Sequence, residues 1–358
     1  MVTIEILTSN LAFKKGFNDF FPLIKWEDRL KAEGIKINFI SKPIRNCGEI
    51  LVVDYRFLQT LYSDRNIREL ENVKKFVLSL RNHYKKLILF DSGDGTSSRA
   101  FWLTPYFDLH VKKQVLKNKL DYTKNNGDKS LMPWIPDNAT PSNIPYKALD
   151  VSHVHKIKLG WNIGMLDYRY FPLKKYYPIG TSALFNNHYK ELPFVSPDKN
   201  RKYITTYRGG VSKDTRYSCQ RSLTIQVINN LKTINLPVAT GGKVSLHQFI
   251  KELKSSHIAI SPYGWGEICY RDFEAVIYGN ILVKPDMSHL DTYPDIFLPM
   301  ETYVPVSWNM SDLPESFDTI IQNLADYKKI AHNAQRIYRE IYHDEKRFIK
   351  QLKSAFEI

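Results

Sequence analysis

The feature that most constrains this chain is a repeated alternation of short, almost unbroken apolar runs with longer amphipathic stretches. VTIEILT (2–8), IKINFIS (35–41), EILVVDY (49–55) and KLILFD (86–91) are separated by helical patterns over about 18–33 and 57–82. The alternation resumes with KYITTYR (202–208), a helix over about 217–232, LPVAT (236–240), a helix over 245–255, HIAIS (257–261) and NILVK (280–284). Helical patterns over 316–325, 326–341 and 343–356 close the chain. Apolar runs without polar alternation suit strands covered on both faces. Strands alternating with helices of this length build right-handed βαβ units around parallel sheets. Two such series are separated by irregular sequence, rich in Pro, Asn and aromatics, at 125–146 and 171–201. The chain is therefore expected to be an α/β protein with two Rossmann-like domains facing across a cleft, spanning 1–170 and 171–340. Residues 341–358 form a C-terminal helix expected to pack back on the first domain.

Composition narrows the setting. No run approaches the roughly 18 to 20 apolar residues of a membrane span, and MVTIEILTSN lacks the basic and apolar regions of a signal peptide. Cys47, Cys219 and Cys269 are far apart and form no CxxC pair, so neither a disulfide framework nor a zinc site is indicated. These features predict a cytoplasmic protein. Lys and Arg number 51 against 37 Asp and Glu, a net charge of +14 that attracts phosphorylated substrates, acidic headgroups or nucleic acid. The basic residues are spread through both halves and no recognition motif appears, which argues against nucleic acid as the partner.

The densest stretch is ISPYGWGEICYRDFEAVIYGNILVKPD (260–286). A strand leads into a loop with Gly264 and Gly266, then a helical pattern over 267–278 that ends at Gly279. A glycine-bearing loop feeding a helix after a parallel strand offers backbone amides and a positive helix end to a phosphate. Arg271 can reach a diphosphate with its forked guanidinium. Glu274, three residues on and on the same face, can accept both hydroxyl protons of a ribose. The plainer alternative is an i,i+3 ion pair on a solvated helix face.

The pattern R-x-x-E-A-x-x-x-G-x-x-x-V-x-P, carried by Arg271, Glu274, Ala275, Gly279, Val283 and Pro285, resembles the donor-site signature of GT-B glycosyltransferases, most closely the exostosin-like branch. The resemblance implies that Arg271 faces the nucleotide diphosphate and Glu274 the ribose. Glu267 and Glu274 are separated by six residues, where the retaining GT-B group has seven, which leaves Glu267 without a role. A second segment, YITTYRGGVSKDTRYSCQR (203–221), is similar to the exostosin-like turn that opens the donor domain. There Arg208, Gly209 and Gly210, with Arg216 and Arg221 on the following helix, form an anion nest. Arg208, Arg271 and Lys284 are expected to neutralise the leaving diphosphate, so that neither a metal nor another cofactor is needed. The sequence also has no Asp-x-Asp motif.

An inverting transfer needs a base in the first domain. FDSGDGTSSRAFW (90–102) puts Asp91 and Asp94 in a Gly/Ser loop at a strand end, with Asp94 the first candidate and Asp91 the second. Both could equally be turn residues closing a βα loop. His153 and His155 are read as a structural pair on one face of a strand, and His110 and His289 as loop or cleft histidines. The expectation is a hexosyl- or related transferase that uses a nucleotide-diphosphate sugar in cell-surface polysaccharide or glycan synthesis. Its acceptor is expected to be a glycan or a polyprenyl-linked saccharide, and its surplus charge to favour peripheral contact with an anionic membrane. A nucleotide-sugar epimerase on the same fold is the alternative enzyme, and a basic nucleic-acid-binding protein the non-enzymatic one.

Overall fold

A computed structural model describes residues 1–8, 19–43, 49–61, 67–124, 148–168, 191–211, 215–233 and 235–358. Most of the two irregular stretches, 125–147 and 169–190, lies outside the described residues. The chain is α/β, with two parallel sheets of the same strand order.

The first sheet comprises β1 (Val2–Leu7), β2 (Ile35–Ile40), β3 (Ile50–Asp54), β4 (Lys86–Asp91), β5 (Leu109–Lys112) and β7 (Ile157–Leu159), ordered β2-β1-β3-β4-β5-β7. The second comprises β8 (Tyr203–Tyr207), β9 (Val238–Thr240), β10 (Ser256–Ile260), β11 (Ile281–Pro285) and β13 (Val304–Val306), ordered β13-β11-β10-β8-β9. All five residues of β3 and of β11 are buried, as the unbroken apolar runs require of doubly covered strands. In each sheet the strand order reverses once, between β1 and β3 and between β8 and β10. Crevices at such points, outside the strand C-termini, are where open α/β sheets bind ligands.

The first sheet carries the helices α1 (Phe21–Lys25), α2 (Glu27–Ala32), α3 (Tyr55–Leu58) and α4 (Ile67–Leu80). The two long helical patterns expected over 18–33 and 57–82 are thus each broken in two, the first at Trp26. His153 and His155 lie in a 3-10 turn, Val151–Lys156, rather than on a strand. The second sheet carries α5 (Thr215–Thr233), α6 (Leu246–Lys254), α7 (Tyr270–Ile277) and α8 (Leu313–Gln322).

Two long helices then join the halves. On α9 (Leu324–His343), Tyr338 and Tyr342 donate hydrogen bonds to the carbonyls of Gly164 and Leu166, at 2.5 and 3.1 Å. On α10 (Glu345–Phe356), Phe348 and Phe356 pack on Trp161, with ring centroids 5.4 and 5.9 Å away. A short antiparallel pair, β6 (Gln114–Leu116) with β12 (Leu290–Thr292), also crosses from one domain to the other. One continuous apolar cluster therefore runs from Ile4 and Val52 through Trp161 and Tyr338 to Phe273 and Leu282.

Candidate active site

The wall that carries Arg271 and Glu274 is built on α7. Its helix starts at Tyr270, three residues later than the hydrophobic period predicts, because the loop before it is held by the first domain. Cys269 is the N-cap residue, and Asp272 Oδ2 accepts its backbone N–H at 2.8 Å. The other oxygen, Oδ1, accepts from Ser261 at 2.5 Å and from Lys284 at 3.1 Å. Asp272 and Lys284 are both fully buried. The C-terminus closes as a Schellman turn: Gly279, at φ +70°, donates to Val276 and Asn280 donates to Ala275. Arg201 caps the exposed carbonyls of Tyr278 and Gly279 at 2.8 and 3.0 Å. The helix is thus fixed at both ends before any ligand arrives.

From this frame Arg271 lays its guanidinium over the Tyr207 ring, 5.2 Å from its centroid, at the end of β8. Gly209 stands where a Cβ would overlap that ring, so glycine is required there by the tyrosine rather than by backbone conformation. Arg221 of α5 reaches the same place: its Nη2 lies 3.7 Å from the position of a Cβ on Gly264, and its Nη1 donates at 3.3 Å to Gly210. Among the described residues neither arginine has a carboxylate within ion-pair distance. Arg271 Nε is buried without a hydrogen-bond partner. Glu274 is 3 % exposed, and its carboxylate hydrogen-bonds to no described residue. Burial pushes its carboxyl up to about 7, with Asp272 adding to the rise and Arg271 opposing it. Two cations that hydrogen-bond to backbone carbonyls, with no described counter-carboxylate, and one buried acid therefore converge at the β8/β10 switch point.

Two expected cations are engaged elsewhere. Arg208 forms a fork with Glu252, Nε and Nη2 each donating at 2.8 Å, while Nη1 donates to the Thr240 carbonyl at 2.7 Å. Lys284 is the buried partner of Asp272. Each is paired with a carboxylate that neutralises it. The Arg216 side chain lies outside the described residues. Gly266 serves the domain contact instead of a phosphate, since a side chain there would run into the Asp94 backbone.

The facing wall is the loop between β4 and β5. Glu267, fully buried, accepts the Thr96 backbone N–H at 3.0 Å and its hydroxyl at 2.7 Å, which gives this acid a role as the latch between domains. Asp91 is also buried, paired with Lys112 at 2.7 Å and His110 at 3.3 Å. Burial opposes its ionisation, but these two neighbours hold its carboxyl well below the usual carboxylate range. So stable a carboxylate is a poor base, and Asp91 is corrected to a structural ion-pair residue. His110 is buried in the same cluster, held by Thr104 at 2.8 Å. Asp94 is different: its side chain is 54 % exposed, 3.4 Å from Lys113 and 3.7 Å from Arg56. It lines a cavity of about 340 Å³ with Tyr55, Arg56, Arg99 and, from the opposite domain, Trp265.

The geometry thus brings together Arg271, Glu274, Gly209, Gly264 and Arg221. Arg216 and Arg221, five residues apart, are about 140° apart around a helix. Helical period alone therefore allows only one of them to face the turn.

No family model and no curated protein matches this sequence. Among solved structures, TarM matches over 86 % of this chain at 10 % identity and TM-score 0.48, and the chain spans 55 % of that protein's length. The DNA-modifying enzyme β-glucosyltransferase, described with and without uridine diphosphoglucose, matches over the full length of both chains at 14 % identity and TM-score 0.49. UDP-GlcNAc 2-epimerase from Neisseria meningitidis matches over 98 % of this chain and 99 % of its own, at 14 % identity and TM-score 0.42. At these scores the likenesses carry no argument about activity. The fold rests on the two parallel sheets and their shared strand order.

Proposed function

We propose that this chain is a GT-B glycosyltransferase that moves a sugar from a nucleoside-diphosphate sugar to an acceptor hydroxyl, with inversion and without a metal ion. The observation that carries the reading is the convergence of Arg221, Arg271 and the unpartnered, buried Glu274 at the β8/β10 switch point. Two forked guanidinium groups neutralise the diphosphate as the sugar leaves. Glu274 accepts the ribose hydroxyl protons, which replaces the solvation its carboxylate lacks. The acceptor, a glycan or polyprenyl-linked saccharide, enters the cavity beside the exposed Trp265, whose ring can stack on a sugar face. The exostosin-like branch and a place in cell-surface glycan synthesis rest on the motif alone, and the net charge of +14 would favour an anionic membrane surface.

The cavity beside the donor wall favours transfer over epimerisation, since interconversion of a free nucleotide sugar needs no acceptor space. A thermal-shift panel of nucleoside diphosphates and their 2′-deoxy analogues tests the donor grip. Wild-type protein should be stabilised more by the ribose form, and Glu274→Gln should lose that preference. No stabilisation by any nucleoside diphosphate would refute the reading. Activity retained in EDTA is expected for transfer, and loss of activity would overturn the metal-free mechanism.

A further inference from the structure

We propose that Asp19, rather than Asp94, takes the proton from the acceptor hydroxyl. The proposal rests on the transfer reading above. Asp19 stands on the C-terminal side of β1, immediately before α1, beside the β1/β3 switch point. Its backbone is anchored by the indole N–H of Trp161, which donates to its carbonyl at 2.6 Å. Its side chain is 5 % exposed, and Oδ2 is buried without a hydrogen-bond partner among the described residues. Leaving a buried carboxylate oxygen without a donor is costly, so an orphan of this kind calls for an explanation such as a ligand.

The groups facing Asp19 come from several elements, among them the buried Asp54 at the end of β3, whose carboxylate opposes ionisation of its neighbour. Arg56 of α3 holds its Nε 3.7 Å from Asp19 Oδ2. Lys113, between β5 and β6, and Arg56 favour its ionised form, while burial and the nearby Asp94 oppose it, and the balance raises its pKa. Tyr270, the first residue of α7, also feels the Asp19 charge, so the helix that carries Arg271 and Glu274 begins within electrostatic reach of Asp19. A base raised toward neutrality keeps driving force for proton transfer. Asp94, by contrast, is half exposed beside the same two cations, Arg56 and Lys113, and has no buried oxygen left without a partner.

In the step, the acceptor O–H gives its proton to the Asp19 carboxylate as the acceptor oxygen bonds to the anomeric carbon of the donor sugar. The bond from that carbon to the diphosphate oxygen breaks on the opposite face, and the electron pair leaves with the diphosphate, beside Arg221 and Arg271. Atoms and charge balance without any further reactant.

The test uses the full chain with UDP-glucose, UDP-N-acetylglucosamine and GDP-mannose, reading nucleoside diphosphate released with water or octyl glucoside as acceptor. Asp19→Asn should lower kcat at least about 100-fold while nucleoside-diphosphate binding stays at the wild-type level. Asp94→Asn should lower it less than about tenfold. In wild type, kcat/KM should rise with pH through the Asp19 pKa and then level. Arg56→Gln removes a cation that favours the carboxylate, so the rise should move to higher pH, a shift that a purely structural role for Asp19 would not produce. Because Arg56 also neighbours Asp94, the limb must persist in Asp94→Asn, and the two variants together decide the matter if Asp19→Asn fails to fold. Nucleotide binding with turnover retained in Asp19→Asn, or an unmoved pH limb in Arg56→Gln, would overturn the assignment while leaving the donor reading intact. Absence of both binding and turnover in wild type would overturn both.

Discussion

Glu274 carries the most testable property at the scale of single residues. Its carboxyl, at about 7 when folded, is raised above an unfolded value near 4.5, so its ionisation opposes folding. The stability its protonated form contributes is fully present below the unfolded value and is lost as pH rises through about 7. A rise of this size corresponds to about 3 kcal/mol. Glu274→Gln should therefore raise the melting temperature of the free protein at pH 8 and leave it nearly unchanged at pH 4.5. Equal effects at both pH values would show that the carboxylate is not desolvated as described. Arg221→Ala and Arg271→Ala should each weaken nucleoside-diphosphate binding by at least about tenfold, the loss of one charge-assisted hydrogen bond. Arg208→Ala should instead act on stability, because its guanidinium is tied to Glu252. Titration calorimetry separates these outcomes.

At the scale of the element, α7 is a helix held in place by groups that are not themselves in the cleft. Asp272 joins the N-cap backbone, Ser261 and Lys284 in one buried node. Asp272→Ala leaves Lys284 buried without its counter-charge, and breaking a buried pair in this way typically costs about 3–5 kcal/mol. The expected outcome is a large drop in the urea midpoint, with nucleotide affinity falling as α7 loosens. A midpoint within experimental error of wild type would mean that water reaches Lys284. The sequence shows much of this element directly: the period of Phe273, Val276 and Ile277, and Gly279 at the C-terminal turn, both follow from local geometry. Its start is not visible locally. Glu267 has a helix-favouring side chain at a position that fits the period, but its carboxylate is drawn to Thr96, 171 residues away. Two hydrogen bonds to the first domain outweigh three residues of helix propensity.

At the scale of the molecule, the two sheets meet where Gly266 lies on the Asp94 backbone and Glu267 holds Thr96. Gly266→Val should separate these loops, since the backbone it would strike cannot rotate away as a side chain could. Turnover should fall, nucleoside-diphosphate affinity should change little, and amide hydrogen exchange should rise at 94–97. Unchanged exchange there would mean that the domains meet without this contact. The C-terminal helices act in the opposite sense: Tyr338, Tyr342, Phe348 and Phe356 tie the second half of the chain to the first through buried bonds and rings. The halves are therefore tied by apolar rings and buried hydrogen bonds on one side, and by the Glu267–Thr96 bonds together with the β6–β12 pair on the other.

The eight strands carried by the apolar runs, the division into two α/β halves, and the placing of Arg271 and Glu274 on one helix face were set by the sequence itself. Each depends on residues within one or two turns or strands of one another, where spacing fixes geometry. Which arginines remain uncommitted was decided only by tertiary structure. Arg208 and Arg221 flank the same Gly-Gly turn, yet Glu252 arrives beside the first, 44 residues along the chain, and no described carboxylate arrives beside the second. The same holds for Asp91, neutralised by Lys112, and for Asp19, left without a donor. A charged side chain acts on a ligand only when no nearer counter-charge is buried with it, and that condition is a property of the packed molecule.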